Sequence, residues 1–259
     1  MRDLIVMWSN TRMVVLTAMS ASLYAAILIP FKVLPLIPGV TEFRPANAIP
    51  VVCSFLFGPA GAWGAAIGNI IGDFFGGLGP GDLFGFFANL LYGLVPYKMW
   101  QAFTDADPLP RSLPTWAAFV AVVALAAGSC GLIVGWGLNL LGFIPFSILG
   151  NIVFFNNFVV AGFLSPLLLL ALYPRVKRAR LRYVDILPAA AVRRGRLRWL
   201  GVAVVTVAVP LGYAVGNLIS AGRLSLPVVG AVHGGTGALQ IGVGLLPVIA
   251  LLLFGLSLL

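Results

Sequence analysis

The residues able to recognise a polar small molecule are few in this chain, and they are grouped. Glu42 and Arg44 stand two apart in a Pro-rich loop, and Asn47 follows at once. Asn69 and Asp73 are four apart, and Asn89 and Tyr92 three apart, so each pair shares one face of a helix. Asn139 precedes a further group, Asn151, Asn156 and Asn157. Amides, carboxylates, a guanidinium and a phenol together supply donors, acceptors and a ring contact, the set that binds a polar heteroaromatic molecule. They do not suggest bond-breaking chemistry. HExxH, GxSxG and Walker A motifs are absent. The single histidine, His233, has no second His or Cys to complete a metal site and reads as a loop residue. Cys53 and Cys130 lie in apolar context without CxxC spacing and read as small buried hydrophobes. No catalytic residue, metal or cofactor is therefore expected.

The elements that must position these residues are membrane helices. The chain is 61% hydrophobic and 9% charged, against about 25% charged in a soluble domain, and its mean hydropathy is +1.06. Several apolar stretches approach the roughly 20 residues that cross a bilayer core. Span 1 runs near Met13 to Pro30, after Arg2 and Arg12. Ala46 to Phe57 and Ala62 to Phe75 flank a Gly58-Pro59-Ala60-Gly61 turn. Each arm is short, so two short crossings and a re-entrant hairpin both remain open. Gly76 to Gly81 is a breaker cluster, and Asp82 reads as the cap of a fourth helix ending near Phe103. Spans 5 and 6 cover Trp116 to Leu141 and Phe146 to Tyr173. Two further spans lie near Trp199 to Ser220 and Gly237 to Leu258.

Between spans 6 and 7, residues 175–198 carry nine of the sixteen Lys and Arg. Basic loops stay on the cytoplasmic side. Starting inside, six crossings return the chain inside at Arg175, where the basic run sits. The expectation is an all-α integral membrane protein: a six-helix bundle over 1–174, a basic cytoplasmic loop over 175–198, and a two-helix extension over 199–259. It is multi-pass in the cell membrane, with both termini cytoplasmic. Nucleic acid is not an expected partner; the lipid bilayer is.

With that topology the polar residues of the first six spans fall in the outer half of the bundle, and the inner half is nearly all apolar. A cup open to the outside has this pattern, whereas a channel or proton relay spreads polar groups through the whole depth. A stand-alone channel or ion-coupled carrier for a small polar solute is the alternative. An enzyme acting on lipid, with Asp73 and Asp82 holding a metal, is a third reading. Any single Asn can instead serve only to bond a neighbouring helix, Glu42 and Arg44 can simply pair, and Asp73 can be solvated near the interface. Gly64, Gly68 and Gly72 form a GxxxGxxxG run, and Ala18, Ser22 and Ala26, like Ala21 and Ala25, recur at four. Such faces serve either close internal packing or docking of another membrane subunit.

The stretch from Glu42-Phe-Arg-Pro-Ala-Asn-Ala-Ile-Pro to Tyr97-Lys98 resembles the S components of energy-coupling-factor (ECF) transporters, nearest to the queuosine-precursor type. The resemblance is carried by Phe43-Arg44 with Ala48 and Pro50, the Phe57-Gly58-Pro59 turn, and Gly76-Gly77-Leu78-Gly79 followed by Asp82 and Phe84-Gly85. It implies a six-helix bundle that captures a vitamin-like heterocycle from outside, under the loop after helix 1. It implies partners too: a transmembrane coupling subunit and ATPase subunits, which supply the energy. The substrate-binding residues expected are Glu42, Arg44, Asn47, Asn69, Asp73, Asn89, Tyr92, Asn151 and Asn156. Ala18, Ala21, Ser22 and Ala25 are expected to dock the coupling subunit. Asn47 departs from the family pattern, which tends to carry an acid there, and the two C-terminal spans lie outside the usual six helices.

Overall fold

A computed structural model describes the chain except residues 32–34, 38–40, 43, 105, 193–194 and 227–236; for 35–37 and 41–42 only the backbone is described. His233 and Phe43 lie outside the described residues.

Among the described residues the longer helices are α1 Thr11–Phe31, α2 Ala48–Phe57, α3 Pro59–Phe74, α4 Gly81–Phe103, α5 Leu113–Leu140, α6 Phe146–Arg178, α7 Arg198–Ser220 and α8 Gly237–Ser257. Their ends are set by local chemistry. Asn10 Oδ1 accepts from the N–H groups of Arg12 and Met13 and caps α1. Ser112 and Thr115 form a capping box at α5. Pro59 opens α3, where its missing N–H costs nothing. Between α2 and α3, Gly58 takes φ +54°, and a Cβ there would strike the Tyr183 ring. Only glycine closes that turn.

Among the described residues, five helices are long and apolar enough to cross a membrane: α1, α5, α6, α7 and α8. The chain is a multi-pass membrane protein. In α4 a full crossing length of 23 residues is diluted by Asp82, Asn89, Tyr92, Lys98 and Gln101. The α2–α3 hairpin is the interior piece. Every residue of α2 is buried, so this helix is wrapped by protein along its whole length. It follows a single 3₁₀ turn, Pro45–Asn47, and ends at Gly58 against Tyr183, just beyond α6; α3 then returns.

One short non-helical feature was not expected. Pro35–Ile37 (β1) and Thr41–Glu42 (β2) pair antiparallel in the loop after α1, with Pro35 opposite Glu42.

The GxxxGxxxG run of α3 packs within the chain. A Cβ at Gly64 would fall on Ser20 and the Ala21 backbone, one at Gly68 on the Ala21 carbonyl and Tyr24, and one at Gly72 on Leu28. The α1 side of this contact is therefore the Ser20, Ala21, Tyr24, Ala25, Leu28 face, which is buried, whereas Ala18, Ser22 and Ala26 remain exposed. The two interleaved small-residue rows of α1 thus have different fates.

α7 and α8 pack on each other and on α5, with α7 also against α6. Gly212 and Gly216 of α7 meet Leu132 and Phe146, and Gly128 and Gly131 of α5 meet Val209 and Tyr213. Tyr213 donates to the carbonyls of Gly128 and Gly150, and Trp136 Nε1 to that of Gly242. At the far end of α6, the N-terminal segment is tied under α4: Asp3 accepts from Tyr97 Oη at 2.8 Å and Lys98 Nζ at 3.0 Å, all three groups buried.

Candidate functional site

A cavity of about 330 Å³ opens at one end of the bundle, bounded by α1, α3, α4, α5, α6 and the Gly76–Gly81 connection. At the opposite end of α6, Arg175, Lys177 and Arg178 lie in its last turn, and Arg180 and Arg182 follow just beyond it. The close α1–α3 approach at Gly68 brings Tyr24 to the cavity wall. From there its hydroxyl lies 3.2 Å from both Asn47 Oδ1 and Asn89 Oδ1. Asn47 Nδ2 donates to Asn157 Oδ1, and Asn89 Nδ2 to the Gly85 carbonyl. Tyr92 sits one layer deeper, fully buried, and its hydroxyl donates to the carbonyls of Asn47 and Asn157. Four elements far apart in sequence are thus joined in one polar floor. Apolar side chains of α2 and α4, among them Val51, Val52, Leu91 and Val95, are buried in the same bundle core.

The walls differ in chemistry. On one side stand Asn69 and Asp73 of α3, whose side chains are hydrogen-bonded to each other, with Arg44 from the loop and Asp82 from the first turn of α4. On the other stand Val134 and Leu138 of α5, Phe143, and Leu149 and Val153 of α6, with Cys130 deeper and Asn156 and Asn157 between. A ligand here meets a polar edge on one side and an apolar surface on the other, the usual make-up of a small-molecule site.

Six of the nine expected binding residues line this cavity: Arg44, Asn47, Asn69, Asp73, Asn89 and Asn156. Tyr92 supports it from below. Asn151 does not reach it, because its amide pairs reciprocally with Asn217 of α7, Nδ2 to Oδ1 at 2.8 Å and 3.3 Å. The side chain of Glu42 lies outside the described residues. Of the four expected docking residues, Ala18 and Ser22 are exposed, whereas Ala21 and Ala25 are buried against the rest of the bundle.

Asp82 is not the N-cap of its helix. It is the second residue of α4, its carboxylate accepts the Gly79 N–H at 2.6 Å, and it borders the cavity. Residues 76–81 are thereby fastened to the rim. Tyr24, Asp82, Cys130 and Asn157 are cavity residues beyond the expected set. Asn157 stood in the polar group already noted on span 6. Tyr24 had a signal in hindsight: it is the one hydroxyl-bearing ring on a helix face otherwise built from small and aliphatic residues.

A family model described as QueT transporter matches residues 14–174. The chain belongs to the QueT transporter family. That family comprises ECF-type S components for queuosine precursors. Comparison with curated proteins and with solved structures found no match. The matched region runs from α1 to the end of α6 and contains every cavity residue named above, while α7 and α8 lie beyond it. Membership makes the chain a membrane-embedded, substrate-binding transporter component with a small-molecule substrate.

Proposed function

We propose that this protein is the capture subunit of an ATP-driven ECF-type importer and that the cavity binds a queuosine precursor, a polar heterocycle, from the outside. The observation that carries the reading is the one-ended cavity. Its floor is a hydrogen-bonded layer of Tyr24, Asn47, Asn89 and Asn157, buttressed by Tyr92, and the hydroxyl that α2 carries below it, Ser54, is buried and accepts the Tyr97 N–H. A site of this shape holds a ligand and does not conduct it, which favours capture over a stand-alone channel. Release inward then needs a partner that moves the subunit.

In this proposal Arg44, Asn47, Asn69, Asp73, Asn89 and Asn156 face the ligand, with Glu42 contributed by the loop above. The exposed Ala18 and Ser22 row of α1, continued by Ala26, offers the close-packing face for a transmembrane coupling subunit, and ATPase subunits drive the cycle. The 1–174 bundle carries capture, and residues 199–259 are an added two-helix buttress. The Arg-rich 175–198 segment supports a cytoplasmic position for that end, and with it for both termini, in the cell membrane.

Mass spectrometry of the small molecule that co-purifies with the full-length protein tests the reading directly. The expected result is a heterocycle that rebinds the emptied protein at submicromolar Kd and whose affinity drops in Arg44→Ala. Solute flux through liposomes holding this chain alone, without any ATPase, would overturn it.

A further inference from the structure

One polar group in the cavity has been left without a counterpart. Asn69 is 1% exposed and lines the cavity, and its Oδ1 has no hydrogen-bond partner. The amide is not free to turn and hide that oxygen. Its Nδ2 donates to Asp73 Oδ2, and an ionised carboxylate only accepts, so Asp73 holds the NH₂ toward itself and the carbonyl oxygen away. Three neighbouring donors are already engaged. Asn89 Nδ2 is on the Gly85 carbonyl, Asn47 Nδ2 on Asn157, and the Tyr24 hydroxyl on Asn47 and Asn89. Buried polar atoms in folded proteins are almost always paired, so an exception in a cavity marks where a ligand completes the set.

Gly85 of α4 faces the same spot. A Cβ there would stand 3.1 Å from Asn69 Nδ2 and 3.8 Å from Asp73 Oδ2, tight enough to crowd the pair. Glycine leaves the Asn69–Asp73 pair uncrowded.

We propose that Asn69 Oδ1 is the acceptor that reads an N–H donor on the ligand, with Asp73 as the positioning residue that sets its orientation. Asn69 is then a specificity-determining residue. A planar heterocycle presenting N–H at that edge is accepted. One presenting a ring nitrogen acceptor or an N-methyl group there is rejected, because the site's own buried acceptor stays unpaired. This rests on the capture reading above.

The test uses the full-length protein in nanodiscs and calorimetric titration with 7-deazaguanine, a planar heterocycle with N–H donors on more than one edge. Three analogues each lack one donor: 7-deazahypoxanthine, and the N1-methyl and N9-methyl derivatives. The expected result is that one analogue binds wild type roughly 10- to 100-fold more weakly than the parent. Asn69→Leu weakens the parent by a similar factor but adds less than about threefold to the loss for that analogue. Asp73→Asn, which lets the amide turn, is expected to shrink the parent-to-analogue ratio. If Asn69→Leu weakens the parent and all three analogues equally, or leaves the parent unchanged, the inference is overturned while capture stands. If wild type binds none of the four probes, the capture reading fails and the inference falls with it.

Discussion

The two ends of the bundle both gather polar side chains, but they treat them differently. At the basic end every described carboxylate is matched. Asp3 is held by Tyr97, Lys98 and the N-terminal amine. Asp107 takes Tyr173 and Lys177, and Asp185 takes both Arg182 Nε and Nη2. At the cavity end a comparable number of polar groups surrounds open space, and the buried Asn69 oxygen is unmatched. The carboxylates of the basic end are matched within the chain, although the buried Arg198 Nε there has no partner, whereas the unmatched Asn69 oxygen lies at a cavity. The same contrast holds between two asparagines. Asn151 is answered by Asn217 and serves packing, whereas Asn69 is answered on its nitrogen alone.

This contrast implies that changes at the basic end move stability and leave ligand affinity alone, with the reverse at the cavity. The largest effect is expected for Lys98→Met, which strips the buried Asp3 of its side-chain counter-charge. A loss of about 3 kcal/mol is expected, read as a lower melting temperature in detergent, with Kd for the co-purified ligand unchanged in whatever protein remains folded. A large affinity change would break the division of labour. Asp73→Asn should do the opposite and weaken binding by about tenfold, or ~1.4 kcal/mol, with little change in the melting temperature of the empty protein. Asn151→Leu and Asn217→Leu are each expected to cost about 1 kcal/mol in stability, and the double variant less than the sum, because neither partner is then stranded. Ligand titration of all three should match wild type.

The smallest effect concerns Asp107. Burial works against its charge, but hydrogen bonds from Lys177 and Tyr173 and the positive charges of Lys177 and Arg182 outweigh it and hold the carboxyl below its ordinary 3.8. A depressed carboxylate stabilises above its unfolded pKa, and that contribution fades as pH falls through the lower folded value. Asp107 is 35% exposed, so solvent limits the pair to a few tenths of a kcal/mol. Asp107→Asn should therefore lower the melting temperature slightly at pH 7 and converge with wild type as the pH falls through the depressed folded value.

Much of the architecture was legible from residue types and spacing. The ends of α5, α6, α7 and α8 fall within five residues of the hydropathy boundaries, because apolar runs, Ser112 and Gly142 act locally. The clustering of Asn47, Asn69, Asp73, Asn89 and Asn156 was legible for the same reason: helical periodicity places them on shared faces near one end. Less legible was which face of α1 points inward. Its rows of small residues look alike, and only the position of Gly64 and Gly68 on α3 buries Ala21 and Ala25 while leaving Ala18 and Ser22 out. The cap expected at Asp82 shifted because the helix begins two residues earlier, at Gly81 with Pro80 before it, and the Asp82 carboxylate binds the Gly79 N–H instead.

The clustered polar groups divide along the same line. Their number, their types and their concentration toward one end of an apolar chain were determined by the sequence alone, since burial in a bilayer and helical period depend only on composition and spacing. Which of them remain available was decided by the tertiary structure. Tyr24 and Asn89 are 65 residues apart and Asn47 and Asn157 are 110 apart, and Asn151 finds its partner on a helix outside the bundle. Hydrogen-bond satisfaction is a property of such distant pairs, so the unanswered oxygen of Asn69 becomes visible only once every neighbour has been placed.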